Sequence, residues 1–214
     1  VIKITTITVT DALAELTLLQ KRIESARISL EDNTLITYVE MGKVPTGFKS
    51  REDYETKAKA SLQKVDALIT RRRVIKRAIV LSNAQTIVTV ASENMTVAEA
   101  IEMKNFIMYY ESVLNTMHSA YKTTISQYEK AKVKIKDRLD KLALEVLGKN
   151  VNSGSDRYQS LADSFLAREG VELLDPTNLA EEVEKRQSFI EEFNSTVDRV
   201  LSISNARTMI DIPD

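Results

Sequence analysis

Between Met95 and Leu147 the chain contains neither glycine nor proline, the two residues that helix interiors tolerate least. Just ahead stands Thr96-Val97-Ala98-Glu99, with the T-x-x-E spacing of a capping box. In that motif the threonine hydroxyl and the glutamate carboxylate each satisfy an amide that the first helical turn leaves free. The spacing predicts one helix over 97–147, about 75 Å long at the helical rise per residue. A rod of that length outruns the core of a single compact domain, so its apolar stripe needs other helices or another subunit.

The stripe follows a heptad. Leu114, Tyr121, Tyr128, Ile135 and Leu142 fill one position, and His118, Ile125, Lys132, Leu139 and Val146 the other. Sustained a/d apolar heptads are the mark of a coiled coil, and the polar entries His118 and Lys132 read as register-setting residues. Leu114, Tyr121, Ile125, Tyr128, Ile135, Leu139 and Leu142 form the expected oligomer seam. Asp137 and Lys141 add a helical i,i+4 pair outside it.

The other elements arrange themselves around this helix. VIKITTIT alternates loosely as a strand, and Thr10 or Asp11 is placed to cap a helix through ALAELTLLQKRIESARISL that stops near Glu31-Asp32-Asn33. Residues 34–49 hold Gly42, Pro45 and Gly47 and read as an irregular crossing or weak hairpin. Ser50, with Asp53 three residues on, opens a second helix that reaches Ser82. GKNVNSGS at 148–155 is a linker, a short helix covers 156–168, and Asp175-Pro176 starts the last long helix as cap and N1 proline. Two helix exits share nearly the same words, SNAQTIV from Ser82 and SNARTMI from Ser204. Each asparagine suits a left-handed stop, after which TIVTV and TMIDI leave extended and are expected to join ITTITV in a small sheet. The echo suggests duplication of a helix–strand unit. The expected fold class is mainly α: an elongated antiparallel helical bundle or coiled coil with a small β element, hairpin or three-stranded sheet, at one end. Its segments are a long-helix domain over 1–147 with a hairpin near 86–95, the linker 148–155, and C-terminal helices over 156–214 packing on the same bundle.

Composition narrows the function classes. A net charge of −1 gives no overall field to recruit nucleic acid or an anionic membrane. Cysteine is absent, which removes disulfides and thiolate metal sites. No run approaches the ~18 apolar residues of a membrane span, and the first residues lack the pattern of a signal peptide. The expected location is the cytoplasm of a host cell or a virion, without a membrane or nucleic-acid partner.

Arg71, Arg72, Arg73, Lys76 and Arg77 form the densest charge run, a possible anion or partner contact because clustered guanidiniums suit phosphate oxygens. The competing reading pairs them with acids. Residues 50–83 carry 9 Lys/Arg against 4 Asp/Glu, whereas 176–203 carry 3 against 6, which points to Glu181, Glu184, Glu191 and Glu192 as partners. His118 is the single histidine, too little for a zinc site. Tyr109, Tyr110, Tyr121 and Tyr128 read as seam packing. Glu99, Glu102 and Glu111 lack the E-x-x-H doubling of a di-iron bundle. No phosphate loop, nucleophile elbow or H-E-x-x-H is present, so the expectation is no catalytic residue, no cofactor and no metal.

The stretch LITRRRVIKRAIVLSNAQTIVTVASENMTVAEAIEMKN resembles the helix, N-x-x-T-x-V hairpin and M-T-V-A-E-A-I helix start of the septicolysin-like proteins of bacteria and phages. DALAELTLLQKRIESA is similar to that family's first helix. The resemblance covers residues 10–30 and 68–108. The family is largely of unknown function. Its name evokes a pore-forming toxin, which this chain's lack of a long apolar hairpin does not support, and its occurrence in phage genomes implies a virion component or an effector acting on host machinery. Together these readings lead to a non-enzymatic structural or assembly protein, self-associating as a homo-oligomer with other virion or host proteins as possible partners. The alternative is a binding protein that captures a host factor or a small anionic ligand through Arg71–Arg77.

Overall fold

The computed structural model describes residues 4–30, 35–149 and 152–213. The expected helix stop at Glu31–Asn33, the linker positions Asn150 and Val151, and the first residues of the N-terminal strand lie outside them. The described residues are 73% helical, so the protein is mainly α with a small β component. The order is β1 (Ile4–Thr8), α1 (Val9–Ile28), α2 (Arg51–Gln85), β2 (Ile87–Val90), β3 (Glu93–Thr96), α3 (Val97–Leu147), α4 (Asp156–Glu169), α5 (Leu179–Arg207) and β4 (Met209–Pro213). Residues 35–49 carry turns and no strand.

The α3 helix is unbroken over its 51 residues. It starts on the predicted box: the Thr96 amide donates to Glu99 Oε2 at 2.6 Å, and the Glu99 amide donates to Thr96 Oγ1 at 3.1 Å. It ends at Gly148, whose φ of +82° is the left-handed turn that glycine adopts without steric cost, with its N–H on Leu144 O at 3.2 Å. The α1 cap is Thr8, not Thr10 or Asp11; the Asp11 amide donates to Thr8 Oγ1 at 3.0 Å, so Asp11 sits three residues inside its own cap. The α5 helix begins later than Pro176 suggests. Asp175 accepts the Leu179 amide at 2.9 Å across a turn, and Asn178 takes a left-handed φ of +55°, so the proline belongs to the turn rather than to the helix.

The asparagines of the SNA repeat do not stop their helices. Asn83 and Asn205 stay helical, and the chain leaves at the threonine beyond. Thr86 adopts φ −76°, ψ 120°, the extended region a β-branched residue prefers. TIVTV does not join a three-stranded sheet. Ala91 and Ser92, at φ +49° and +62°, form a two-residue turn that folds β3 straight back on β2 before any distant strand can compete. β1 and β4 make a separate antiparallel pair.

The two pairs match residue for residue. Ile87 pairs with Thr96, and Met209 with Thr8; Val88 pairs with Met95, and Ile210 with Ile7. The next pair carries a cross-strand side-chain bond in both copies: Thr89 Oγ1 donates to Asn94 Oδ1 at 2.7 Å, and Thr6 Oγ1 to Asp211 Oδ1 at 2.6 Å. Each β pair therefore closes an SNA-x-T exit against a T-V-x-[DE]-A helix start: TVAEA at Thr96, TVTDA at Thr8.

The chain divides into two compact units, one of Val1–Asn105 with Phe193–Asp214, the other of Phe106–Glu192. Both boundaries fall inside helices, within α3 and α5. In the first unit, Val9, Ala12, Leu16 and Leu19 of α1 pack with Ile75 and Ile79 of α2 and with Ile210 and Ile212 of β4. The strand alternates buried with exposed residues, so one face of a short two-stranded sheet is enough to roof two helices. Burying one such isoleucine contributes about 1.5–3 kcal/mol. The second unit holds two smaller clusters, described with the seam below.

Candidate functional site

The basic run lies in the first unit on α2, and the structure separates its members. Arg71 is built into the scaffold. Its Nε donates to Glu15 Oε1 at 2.9 Å, its Nη2 to Glu15 Oε2 at 3.4 Å and its Nη1 to the Pro213 carbonyl at 3.3 Å. This guanidinium ties α1, α2 and β4 together at the rim of their shared core. Glu15 of α1 is therefore the acid facing the run, where charge balance had pointed to α5. Glu181 receives a bond from Asn178 Nδ2 at 2.7 Å and Glu191 one from Gln187 Nε2 at 2.8 Å.

Arg72, Arg73, Lys76 and Arg77 are exposed. Helical periodicity spreads them over about 140° of α2, with Arg73, Lys76 and Arg77 turned from buried Ile75 and Ile79 and Arg72 at the border of that buried face. No ion pair to them is found among the described residues. Four cations within six residues leave this face able to meet an anion without breaking any internal contact.

The heptad seam lies on α3, and the chain fills much of it. Leu114 is buried with Val183 and Ile190 of α5, flanked by Ile107, Met117, Leu179 and Phe189. Leu139 is buried with Ala162 and Phe165 of α4, flanked by Ile135, Leu142 and Tyr158. Arg138 stacks over Phe165 at 5.8 Å and pairs with Glu169. Both stretches expected to receive a second subunit thus receive the chain's own helices, because α4 and α5 bring apolar faces of matching period. The middle of the seam is less covered: Ile125 and Tyr128 are half-buried and Tyr121 is exposed. Beside it, Tyr128, Ile135, Leu139, Leu166 and Val171 line an open groove of about 680 Å³, with Lys132 and Lys136 on its rim.

Tyr110 stays beside the seam, its ring 6.4 Å from that of Phe189 of α5 and 41% exposed. Tyr109 does not: at 59% exposed, with Phe106 at 50% and Val113 at 50%, it makes an apolar surface on another side of α3. The Phe106 and Tyr109 rings lie 5.3 Å apart. The signal for this second stripe was present in the i, i+3, i+7 spacing of Phe106, Tyr109 and Val113, which the stronger heptad masks. His118 is exposed. No three His, Asp or Glu side chains gather as a cation would require among the described residues, and none of their helices is long and apolar enough to cross a membrane.

The Glu99 carboxyl is held below the ordinary glutamate range by the Thr96 amide and then by the Thr96 hydroxyl. Asp175 is lowered mainly by the Leu179 amide, and Asp53 by the Lys49 amide ahead of Lys57. All three are helix-start carboxylates, and each shift comes from a hydrogen bond to the charged form.

What these features define is a helical scaffold with β-clasped helix exits, one exposed basic face and one exposed aromatic face. Comparison with family models, curated proteins and solved structures finds no match for this chain.

Proposed function

We propose that this chain is a non-enzymatic structural or assembly protein that self-associates through its long helices. The observation that carries the reading is α3: 51 continuous residues, of which only a few are buried and along which Phe106, Tyr109, Tyr110, Val113 and Tyr121 stay exposed. Single exposed apolar residues are ordinary on a soluble protein, but a contiguous aromatic patch marks an interaction surface. The residues that resemble the septicolysin-like proteins, with their occurrence in phages, support a virion or a host-cell setting. Light scattering on the intact chain tests the reading. A defined oligomer is expected at micromolar concentration, and a strict monomer overturns it.

A second reading is favoured by the exposed set Arg72, Arg73, Lys76 and Arg77, which has no ion pair among the described residues: capture of an anionic ligand or an acidic host factor on α2. Here Arg72→Glu with Arg73→Glu abolishes capture while the fold survives. If the double variant still binds, this reading is lost.

A further inference from the structure

Between Asn105 and Tyr121 the α3 sequence is NFIMYYESVLNTMHSAY, with Glu111 as its one formally charged side chain. The rest of the chain is rich in charge, at 29% Asp, Glu, Lys and Arg overall. At about 100° per residue, Glu111 and His118 project from the side of α3 opposite Phe106, Tyr109 and Val113. The aromatic face is therefore free of charge for more than four turns. Depleted charge and enriched aromatics are the composition of an interface centre.

The occupant follows from the seam and from the pattern of the face itself. Leu114 and Leu139 are already covered by α5 and α4, so self-association needs a different surface. An uncharged face is matched by an uncharged face, and this one matches itself when run antiparallel about Val113. Seven residues before Val113 stands Phe106 and seven after it Ala120; four before stands Tyr109 and four after it Met117. Large thus meets small at Phe106 and Ala120, and Val113 meets its own copy on the axis, while Met117, half-buried against the Leu114 cluster, borders the face opposite Tyr109. Such a two-fold, self-complementary contact is the commonest symmetry of soluble oligomers.

We propose that the face carrying Phe106, Tyr109 and Val113 is where a second copy of this chain docks, α3 against α3 and antiparallel. The proposal rests on the self-association reading and names its surface. Two half-exposed rings offer on the order of 200 Å² of apolar area per copy. With the valine and the rim, two copies bury less than about 1,000 Å², the range of weak, reversible association. Dissociation in the micromolar range is expected.

The test uses the full chain by sedimentation, with helicity checked by circular dichroism. Tyr109→Glu with Val113→Glu weakens the dimer at least tenfold and keeps the fold, since both side chains are exposed. The chain has no cysteine, so Val113→Cys provides a direct geometric readout. Oxidation should cross-link Val113→Cys into a dimer and leave Ser119→Cys, exposed on another side of α3, monomeric. A wild-type chain that stays monomeric throughout the micromolar range overturns the self-association reading and this face with it, and leaves the surface to a different partner. An oligomer that survives Tyr109→Glu with Val113→Glu, or that cross-links equally at positions 113 and 119, overturns the face alone.

Discussion

Thr86 and Thr208 occupy the same station in two copies of one helix exit. Each donates its amide four residues back, to Ser82 O and Ser204 O, both at 2.9 Å, and each offers its carbonyl to a helix start, Val97 at 2.9 Å and Val9 at 3.0 Å. One residue therefore ends a long helix and also satisfies an amide of the helix that begins beside it, where the first turn otherwise leaves its donors unpaired. In one copy the two strands are joined by the turn at Ala91 and Ser92; in the other they come from positions 205 residues apart. Register, cross-strand bond and cap agree in both, which makes duplication of a helix–strand–strand–helix unit the simplest account of the SNA-x-T echo.

If the copies are equivalent, their caps should be worth the same. Thr96→Ala and Thr8→Ala are each expected to destabilise by about 1 kcal/mol, the usual value of a threonine N-cap. Thr17 supplies the control. Its hydroxyl bonds Leu13 O at 3.1 Å inside α1, a back-bond that stabilises little, so Thr17→Ala should be neutral or slightly stabilising. Urea midpoints of the three variants decide the matter. Unequal costs at Thr8 and Thr96 would argue against equivalence.

The same caps set an acid dependence. Because hydrogen bonds from Thr96 lower the folded-state pKa of Glu99, the unfolded chain binds that proton more readily. The stabilisation is fully present above the ordinary glutamate range and is lost as pH falls through the lowered folded value. Glu99→Gln removes the titration. Wild type should exceed this variant in stability most at neutral pH, and the gap should close progressively as unfolding is followed into acid. A gap that widens toward acid would have the wrong sign.

How far the residues alone lead differs from element to element. The bounds of α3 were readable because a capping box at one end and the return of glycine at Gly148 at the other are local signals, complete within four residues. The α2 and α5 exits were misplaced at asparagine because a turn preference is only a bias, and each helix carries its hydrogen bonding on to the threonine. The β1–β4 pairing is non-local, so alternation in ITTITV and TMIDI suggested strands without showing that TIVTV pairs elsewhere. At the basic run, net charge over a segment is blind to direction. It counted Arg71 with its neighbours, although Arg71 faces Glu15 and the others face solvent.

That division can be measured. Arg71 and Glu15 side chains are 26% and 31% exposed, and the forked contact is stronger than a single surface pair. Arg71→Met should therefore cost about 1 kcal/mol by stranding a partly buried carboxylate. Arg72→Glu with Arg73→Glu touches no ion-pair partner among the described residues, and stability should stay within about 0.5 kcal/mol of wild type. Thermal unfolding of both variants tests this. A reversed order would move the scaffold role from Arg71 to its neighbours.

The β2–β3 turn is the one place where the two copies differ covalently, and it carries strain. Ala91 and Ser92 sit at φ +49° and +62°, conformations that crowd a Cβ against the backbone. Paired positive φ values form the type I′ turn that right-twisted strands favour, in which glycine is preferred at the second position. Ser92→Gly removes about 1–2 kcal/mol of crowding against about 0.4–1 kcal/mol of added freedom in the unfolded chain, and is expected to stabilise by about 0.5–1 kcal/mol. Ala91 is the poorer site, because its side chain is buried and deleting it would leave a gap. A higher melting temperature for Ser92→Gly, with no gain for Ala91→Gly, is the outcome this geometry requires. A loss at Ser92 would mean that its side chain holds the hairpin more strongly than its backbone strains it.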